Sequence, residues 1–208
     1  RAIDANMWDG FVDGNYHALQ ATLNRGLTGG LFLKGSYTFS KAINYTDEDG
    51  WASMRYFNWE PVLRRNRAPA GYDRTHMFTM AVIWDLPVGR GRRLNVSNTF
   101  LNHLIGGWQV ASVFTAYSGT PFTVSGSGSS LNAPGNSQTA DQIAPVRKLG
   151  GTGPGEFYYD PMSFRDPNWK RPSNVYRFGT MGVNVLRGPG FWRDDATLRE
   201  RWHAYHLI

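Results

Sequence analysis

The 208-residue chain has no cysteine, so disulfides, thiol catalysis and Cys-ligated zinc are excluded. Aromatics reach 14%, with 24 Gly and 11 Pro but only 18% charged residues, a profile of β-structure with long loops rather than of helices. No apolar run reaches the roughly 18 residues of a transmembrane helix, and the net charge of +6 is spread over turn and loop arginines, which argues against a nucleic-acid-binding face.

A mean hydropathy of −0.44 does not exclude membrane strands. Only alternate residues of such a strand face lipid, and polar loops dilute the average. The opening "RAIDANMWDG" has neither an initiator Met nor an apolar leader segment, and reads as a processed or partial piece.

In chain order, residues 16–24 alternate, with Leu19, Ala21 and Leu23 on one face and Tyr16, Ala18, Gln20 and Thr22 on the other. "RGLTGG" is a turn, and residues 31–43 form a second strand. There Leu31, Leu33, Tyr37 and Phe39 oppose Lys34, Ser36, Thr38 and Ser40, so the pair is a hairpin with one apolar and one polar face. Residues 44–72 mix acids, arginines and aromatics without a period, as an ordered loop would.

A third strand covers 74–86. His76, Phe78, Met80, Val82, Trp84 and Leu86 make a bulky apolar face, and Met77, Thr79, Ala81, Ile83 and Asp85 a mixed one. Residues 87–99 read as a basic turn with a polar tail, and 106–124 as a fourth strand whose alternation breaks at Ser112 and Val113. Residues 125–190 are too long for an ordinary connection; "GSGSSLNAPGNSQTAD" is expected to be mobile and "EFYYDPMSFRDPNW" an aromatic-anchored loop. A fifth strand begins near Trp192. Short turns thus join strands one to two and three to four, while long loops join two to three and four to five. That asymmetry fits an outer-membrane barrel, in which case the bulky face meets lipid, and it also fits a β-sandwich.

Five segments carry a resemblance: "NYHALQATLNRGLTGGLFLKGSYTFSKAIN", "YDRTHMFTMAVIWDLPVGRGRRL", "GGWQVASVFTAYSGTPFTV", "FYYDPMSF" and "FGTMGVNVLRGPGFW". In this order they resemble the barrel region of TonB-dependent outer-membrane transporters of the Oar-like, acidobacterial type, from about Asn15 to Trp202. The resemblance implies an all-β fold, an antiparallel up-and-down meander forming part of a transmembrane β-barrel. It makes residues 1–208 an incomplete barrel domain in the bacterial outer membrane, with loops 44–72 and 125–190 extracellular. The implied partners are membrane lipid, the remainder of the barrel, the plug, and TonB acting through a part outside this chain. No nucleic-acid partner, cofactor or enzymatic activity is expected. The substrate would be large, a carbohydrate or a peptide. Leu19, Leu33, Phe78, Val82 and Trp84 would stand on the convex, lipid-facing side. Neither a plug, a TonB box nor a terminal aromatic residue is found, and about five strands cannot close a transporter barrel.

Several clusters have sharper and blander readings. Asp47, Glu48 and Asp49 suggest a calcium loop, but their spacing is not that of an EF-hand, and a solvated loop suffices. His203 and His206, three apart on a strand, fall on opposite faces and suit no shared metal. Asp73, Arg74 and His76 lack a nucleophile and suit a structural role, with Asp73 and Arg74 at the strand entry expected to fix the loop through an ion pair and backbone hydrogen bonds. "GGTGPG" lacks the Lys-Ser/Thr of a phosphate loop and reads as a flexible turn. The loop rings Trp51, Tyr56, Phe57, Trp59, Tyr158, Tyr159 and Trp169 could contact a ligand or simply fold the loops. A secreted β-sandwich carbohydrate-binding module is the alternative; a glycoside hydrolase lacks any carboxylate pair that spacing picks out.

Overall fold

The computed structural model describes residues 10, 12–46, 56–57, 59–131, 137–170, 172 and 175–200. Five long strands dominate: β1 (Asn15–Thr28), β2 (Leu31–Asn44), β3 (His76–Asp85), β4 (Trp108–Tyr117) and β5 (Phe191–Glu200). One helix, α1 (Thr99–Ile105), lies between β3 and β4. The strands form one sheet in the order β1-β2-β3-β4-β5, joined by the short segment Ala68–Pro69, which pairs with Ile43 and Asn44 of β2. Sequence neighbours are sheet neighbours throughout, an antiparallel up-and-down meander. No closed barrel forms among the described residues.

The chain divides into two compact units. One comprises Leu19–Phe39, His76–Tyr117 and Phe191–Ile208; the other comprises Arg1–Ala18, Ser40–Thr75 and Ser118–Gly190. The first is the body of the sheet. Its register fixes which side chains share a face, because directly paired residues point the same way. One row across the strands is Leu31, Trp84, Val110 and Leu198; another is Leu33, Val82, Ser112 and Ala196; a third is Tyr37, Phe78, Ala116 and Trp192. The opposite face carries Ser36, Thr79, Thr115 and Arg193 in one row and Lys34, Ala81, Val113 and Asp195 in the next. The two faces expected from alternation are therefore real, and Leu33, Phe78, Val82 and Trp84 share the apolar one. Leu19 is exposed on β1, an edge strand among the described residues.

The break at Ser112 and Val113 is one of residue type only, not of the strand. The β4 ladders run unbroken through both residues, leaving Ser112 on the apolar face and Val113 on the polar one. The serine hydroxyl is accommodated because it donates to Asp194 Oδ1 at 2.5 Å on the adjacent strand. Ring contacts confirm the apolar face: Phe114 lies 6.1 Å from Phe78 and 6.3 Å from Trp192, centroid to centroid.

The β1–β2 turn narrows to Gly29 and Gly30, with φ of 61° and 80°. Two consecutive left-handed residues make the type I′ turn that matches strand twist, and glycine adopts it without Cβ strain. The Asp85 N–H donates to Gly30 O at 2.7 Å, so the turn is also knit to the end of β3. The β3–β4 connection is not the simple turn expected: besides the 87–93 basic stretch it holds a Val88–Leu94 bridge and α1. The fourth strand is also shorter than expected. It stops at Tyr117, and Pro121–Phe122 pairs instead with Leu186–Arg187.

The second unit is built of loops with little regular structure. A 3₁₀ helix at Glu60–Asn66 and two-residue ladders hold it, Ser125–Gly126 with Gln138–Thr139 and Asp141–Gln142 with Phe164–Arg165. Its small core is Phe57, Ala68 and Val183, flanked by Tyr56, Val62 and Phe178. Within the stretch expected to be mobile, Gln138, Thr139, Ala140 and Asp141 are buried. The Gln138 amide donates to Ser127 O and accepts from Gly179 N–H at 3.0 Å, which offsets the cost of burying it.

Replacing Gly30 tests the turn. An added Cβ would sit 3.2 Å from Asp85 Cβ at a positive φ, so Gly30→Val should cost about 2 kcal/mol or more. Gly26→Ala, with nothing within 4 Å of the new Cβ, should be neutral or slightly stabilising. Urea unfolding in detergent, followed by tryptophan fluorescence, reads both; equal losses at the two positions would contradict the turn assignment.

Candidate functional site

Chemistry-bearing side chains gather in the loop unit, where charged residues are buried against distant parts of the chain. Asp73 is the centre of one cluster. Its carboxylate is almost wholly buried, pairs with Arg187, and accepts the Ala42 N–H at 2.7 Å. Arg187 also donates to the carbonyl oxygens of Gly119 at 3.2 Å and Asp73 at 3.4 Å. Arg74, the next residue, points elsewhere and donates to Ser118 O at 2.9 Å. Successive side chains of an extended segment diverge in this way. The ion pair at the strand entry is made by Asp73 with a partner 114 positions away, Arg187. The His76 Nδ1 lies 2.8 Å from the Tyr37 hydroxyl, and its ring sits 5.3 Å from that of Phe39.

A second cluster joins Asp141 and Arg177 through two parallel hydrogen bonds of 2.7 and 2.6 Å. The Thr180 N–H donates to the same carboxylate at 3.1 Å. The hydrogen bond from Arg177 holds the Asp141 carboxyl below its ordinary range, outweighing the opposing effect of burial. A third device is neutral. Asn66 is fully buried; its Oδ1 accepts from the Tyr56 and Phe57 N–H groups at 3.2 and 3.1 Å, and its Nδ2 donates to Phe57 O at 2.6 Å. Arg65 stacks over the Phe57 ring at 4.1 Å and donates to Gly179 O and Met181 O. These arrangements have the character of fasteners: each polar group is satisfied, and none aims a nucleophile at a cleft.

The loop rings sort into two roles. Phe57 is buried in the core, while the Tyr56 hydroxyl meets Ser125 Oγ at 3.2 Å. Tyr159 packs edge-on against Tyr158 at 5.1 Å and donates its hydroxyl to Arg187 O at 2.8 Å. Those rings fold the loops. Trp59 and Trp169 are different. Trp59 stacks on Phe178 at 6.4 Å yet stays 58% exposed, and Trp169, 60% exposed, has Arg165 and Lys170 each 5.8 Å from its ring. No ring contact joins Trp59 or Trp169 to the tyrosine pair among the described residues. Trp51 lies outside the described residues, as do Asp47, Glu48, Asp49, His203 and His206. An open hollow of about 320 Å³ in this unit is lined by Asn15, Tyr16, Ala42, Ile43, Asn44 and Tyr72 among others.

"GGTGPG" is an organised turn, correcting the expectation of a merely flexible one. The Glu156 carboxylate accepts the N–H groups of Thr152 at 3.0 Å and Gly153 at 2.9 Å, bonds that hold its pKa below the ordinary value. Lys148 and Tyr159 bridge the base of the hairpin. Sequence reading missed Asn66, Asp141, Arg177 and Arg187, whose roles depend on partners far away along the chain. It also missed α1, for which a local signal existed: Asn98 as N-cap before apolar pairs at 100–101 and 104–105.

Comparison with known proteins gives one result for the whole chain. A family model described as an outer membrane beta barrel domain matches residues 4–206. No curated protein matches, and no solved structure does.

The Asp141–Arg177 pair has a pH signature. Because the folded carboxyl titrates below its unfolded value of about 3.9, its stabilisation is complete above that value and is lost as pH falls through the folded pKa. Arg177 is partly exposed, which limits the effect to about 1 kcal/mol. Hydrogen exchange at the Thr180 amide reads it. Arg177→Gln should lower protection severalfold near neutral pH and change little once Asp141 is protonated. The same loss at both pH values would show that the pair contributes through packing instead.

Proposed function

The chain belongs to the outer membrane β-barrel domain family, and from that premise we propose that it forms part of the barrel wall of a TonB-dependent transporter of the Oar-like type. Its location is the bacterial outer membrane, and its surroundings there are lipid. The observation that carries the reading is the register of the long strands. Rows such as Leu31, Trp84, Val110 and Leu198 make one face of the sheet apolar, while Ser36, Thr79, Thr115 and Arg193 make the other polar. A membrane barrel needs this arrangement: alternate residues meet acyl chains outside and water or a plug inside.

The finer identity draws on the five ordered segments, and on strand number. Five long strands are described, whereas the smallest closed barrels use about eight, so these strands supply an arc of a larger wall. In the proposed transporter the plug fills the lumen against the polar face, and TonB supplies energy through the plug. The loop stretches 44–72 and 125–190 face outward. Substrate selection falls to exposed loop groups, with Trp59 and Trp169 the rings free to stack on a sugar or a peptide side chain and Arg165 beside Trp169 to hold a carboxylate. Tyr56, Tyr158 and Tyr159 contribute chiefly by shaping the loops. Catalysis is not part of the proposal. A sandwich module gains no support, since the long strands form one sheet where a sandwich stacks two.

The test uses the whole protein in intact cells. The sequence contains no cysteine, so single cysteines report without background from this chain. Thr152→Cys should react with a membrane-impermeant thiol reagent, and Arg92→Cys only after the outer membrane is opened. Reversed labelling would overturn the orientation. Purified protein should also retain the periplasmic domain of TonB in a substrate-enhanced manner; a barrel that never binds it is a passive one, and the transporter assignment fails.

A further inference from the structure

The connection from β3 to β4 carries a helix that is inside out. In α1, Phe100, Leu101, Leu104 and Ile105 occupy one side, since positions i, i+1, i+4 and i+5 cluster at about 100° per residue. In a water-soluble fold that stripe would face the core. Here all four are exposed, Phe100 at 77% and Leu104 at 61%, and the helix has no buried residue.

On the opposite side half-buried Asn102 is turned toward the protein, while Thr99 and His103 are exposed. Asn102 Oδ1 accepts the Arg90 N–H at 2.6 Å, fastening the basic turn to the helix. Gly106 packs so closely on Asn102 that an added Cβ would fall 2.6 Å from its carbonyl oxygen. Asn98 caps the helix by accepting the Leu101 N–H at 3.2 Å, and Trp108 Nε1 donates to Leu104 O at 3.1 Å. The basic turn that carries Arg90, Arg92 and Arg93, all exposed, is thus fastened to the helix. No Asp or Glu occurs from Leu86 to Ala140; Asp85 is engaged by Gln109 Nε2 at 2.7 Å, and Glu200 pairs with Trp108 at the same end of the sheet.

We propose that this element is a membrane-surface anchor, in which the α1 stripe enters the headgroup boundary of the leaflet and the three guanidinium groups bind the phosphates of anionic glycerophospholipids. Charge complementarity selects that occupant. Guanidinium groups pair bidentately with phosphate, and apolar side chains beside clustered positive charge define an interfacial helix. A protein surface would have to be both apolar and acidic over one short patch. The proposal rests on the barrel reading, with this end of the sheet on the periplasmic side, where that leaflet is phospholipid. The anchor would fix the depth of β3 and β4 in the bilayer.

The experiment reconstitutes the whole purified protein in phosphatidylcholine vesicles with or without phosphatidylglycerol. A fluorophore is attached at Leu104→Cys or, as a reference on the apolar strand face, at Val82→Cys. Nitroxide lipids labelled near the headgroup should quench the Leu104 probe, and aqueous iodide should not. Labelled phosphatidylglycerol should quench it with about fivefold or greater preference over labelled phosphatidylcholine. The combined Arg90→Gln, Arg92→Gln and Arg93→Gln variant should bring that preference close to one. Iodide access at Leu104, or no headgroup preference, with Val82 quenched from deep in the bilayer, would overturn the anchor and leave the barrel standing. Protection from both quenchers would mean that protein covers the helix, and stronger quenching by lipid A would put this end in the outer leaflet; either result overturns the proposal. Iodide access at Val82 as well would bring down the barrel reading itself.

Discussion

Everything in the sheet depends on backbone hydrogen bonding between neighbours. In hydrocarbon an unpaired N–H or C=O costs several kcal/mol, so a strand can cross only if both of its sides are paired. The ladders from β2 through β5 meet that demand and, in doing so, lock the register. Since the side-chain period is two, the register then decides which residues meet lipid. A slip of one residue between β3 and β4 would exchange the Val82 row for the Ile83 row and turn apolar side chains to the wrong face. The same logic explains the tolerance of Ser112 on the apolar side, because its hydroxyl finds an acceptor in Asp194 Oδ1. Among the described residues β1 and β5 are the sheet edges, and in a barrel further strands pair with them.

The loop unit solves a different problem. It has little apolar surface to bury, with a core built around Phe57, Ala68 and Val183. Order comes instead from polar groups that are buried and satisfied by partners remote in sequence. Asp73 joins Ala42 to Arg187, Asp141 joins Arg177 to Thr180, and Asn66 closes the loop onto Phe57. Removing either partner of such a pair strands a desolvated group, which costs more than the pair contributes when intact. Loops held in this way can keep Trp59 and Trp169 in fixed exposed positions.

These two regions differ in how far the sequence reveals them. Alternation is local, so the faces of β2 and β3 could be read directly, and Leu33, Phe78, Val82 and Trp84 share a face as expected. At Ser112 and Val113 the alternation of residue types fails while the strand continues, because pairing geometry tolerates a hydroxyl that finds an acceptor. The long loops were opaque for a stronger reason. Nothing near Asp73 in the chain points to Arg187, and a Gly- and Ser-rich composition around 125–141 suggested mobility where Gln138 and Thr139 are wholly buried. The α1 helix lay within reach of sequence reasoning, since its cap and its apolar spacing are both local. It was passed over because residues between two strands were read as turn and tail.

The central claim is that one face of the long strands lies in the bilayer, and β3 offers the most direct test. Single cysteines at each position from Met77 to Ile83 in the whole protein, spin-labelled in lipid bilayers, would report collisions with oxygen from the membrane and with a nickel chelate from water. The account predicts a period of two, with Phe78, Met80 and Val82 favouring oxygen and Met77, Thr79, Ala81 and Ile83 favouring the chelate. Uniform accessibility, or the same period with its phase reversed, would contradict it.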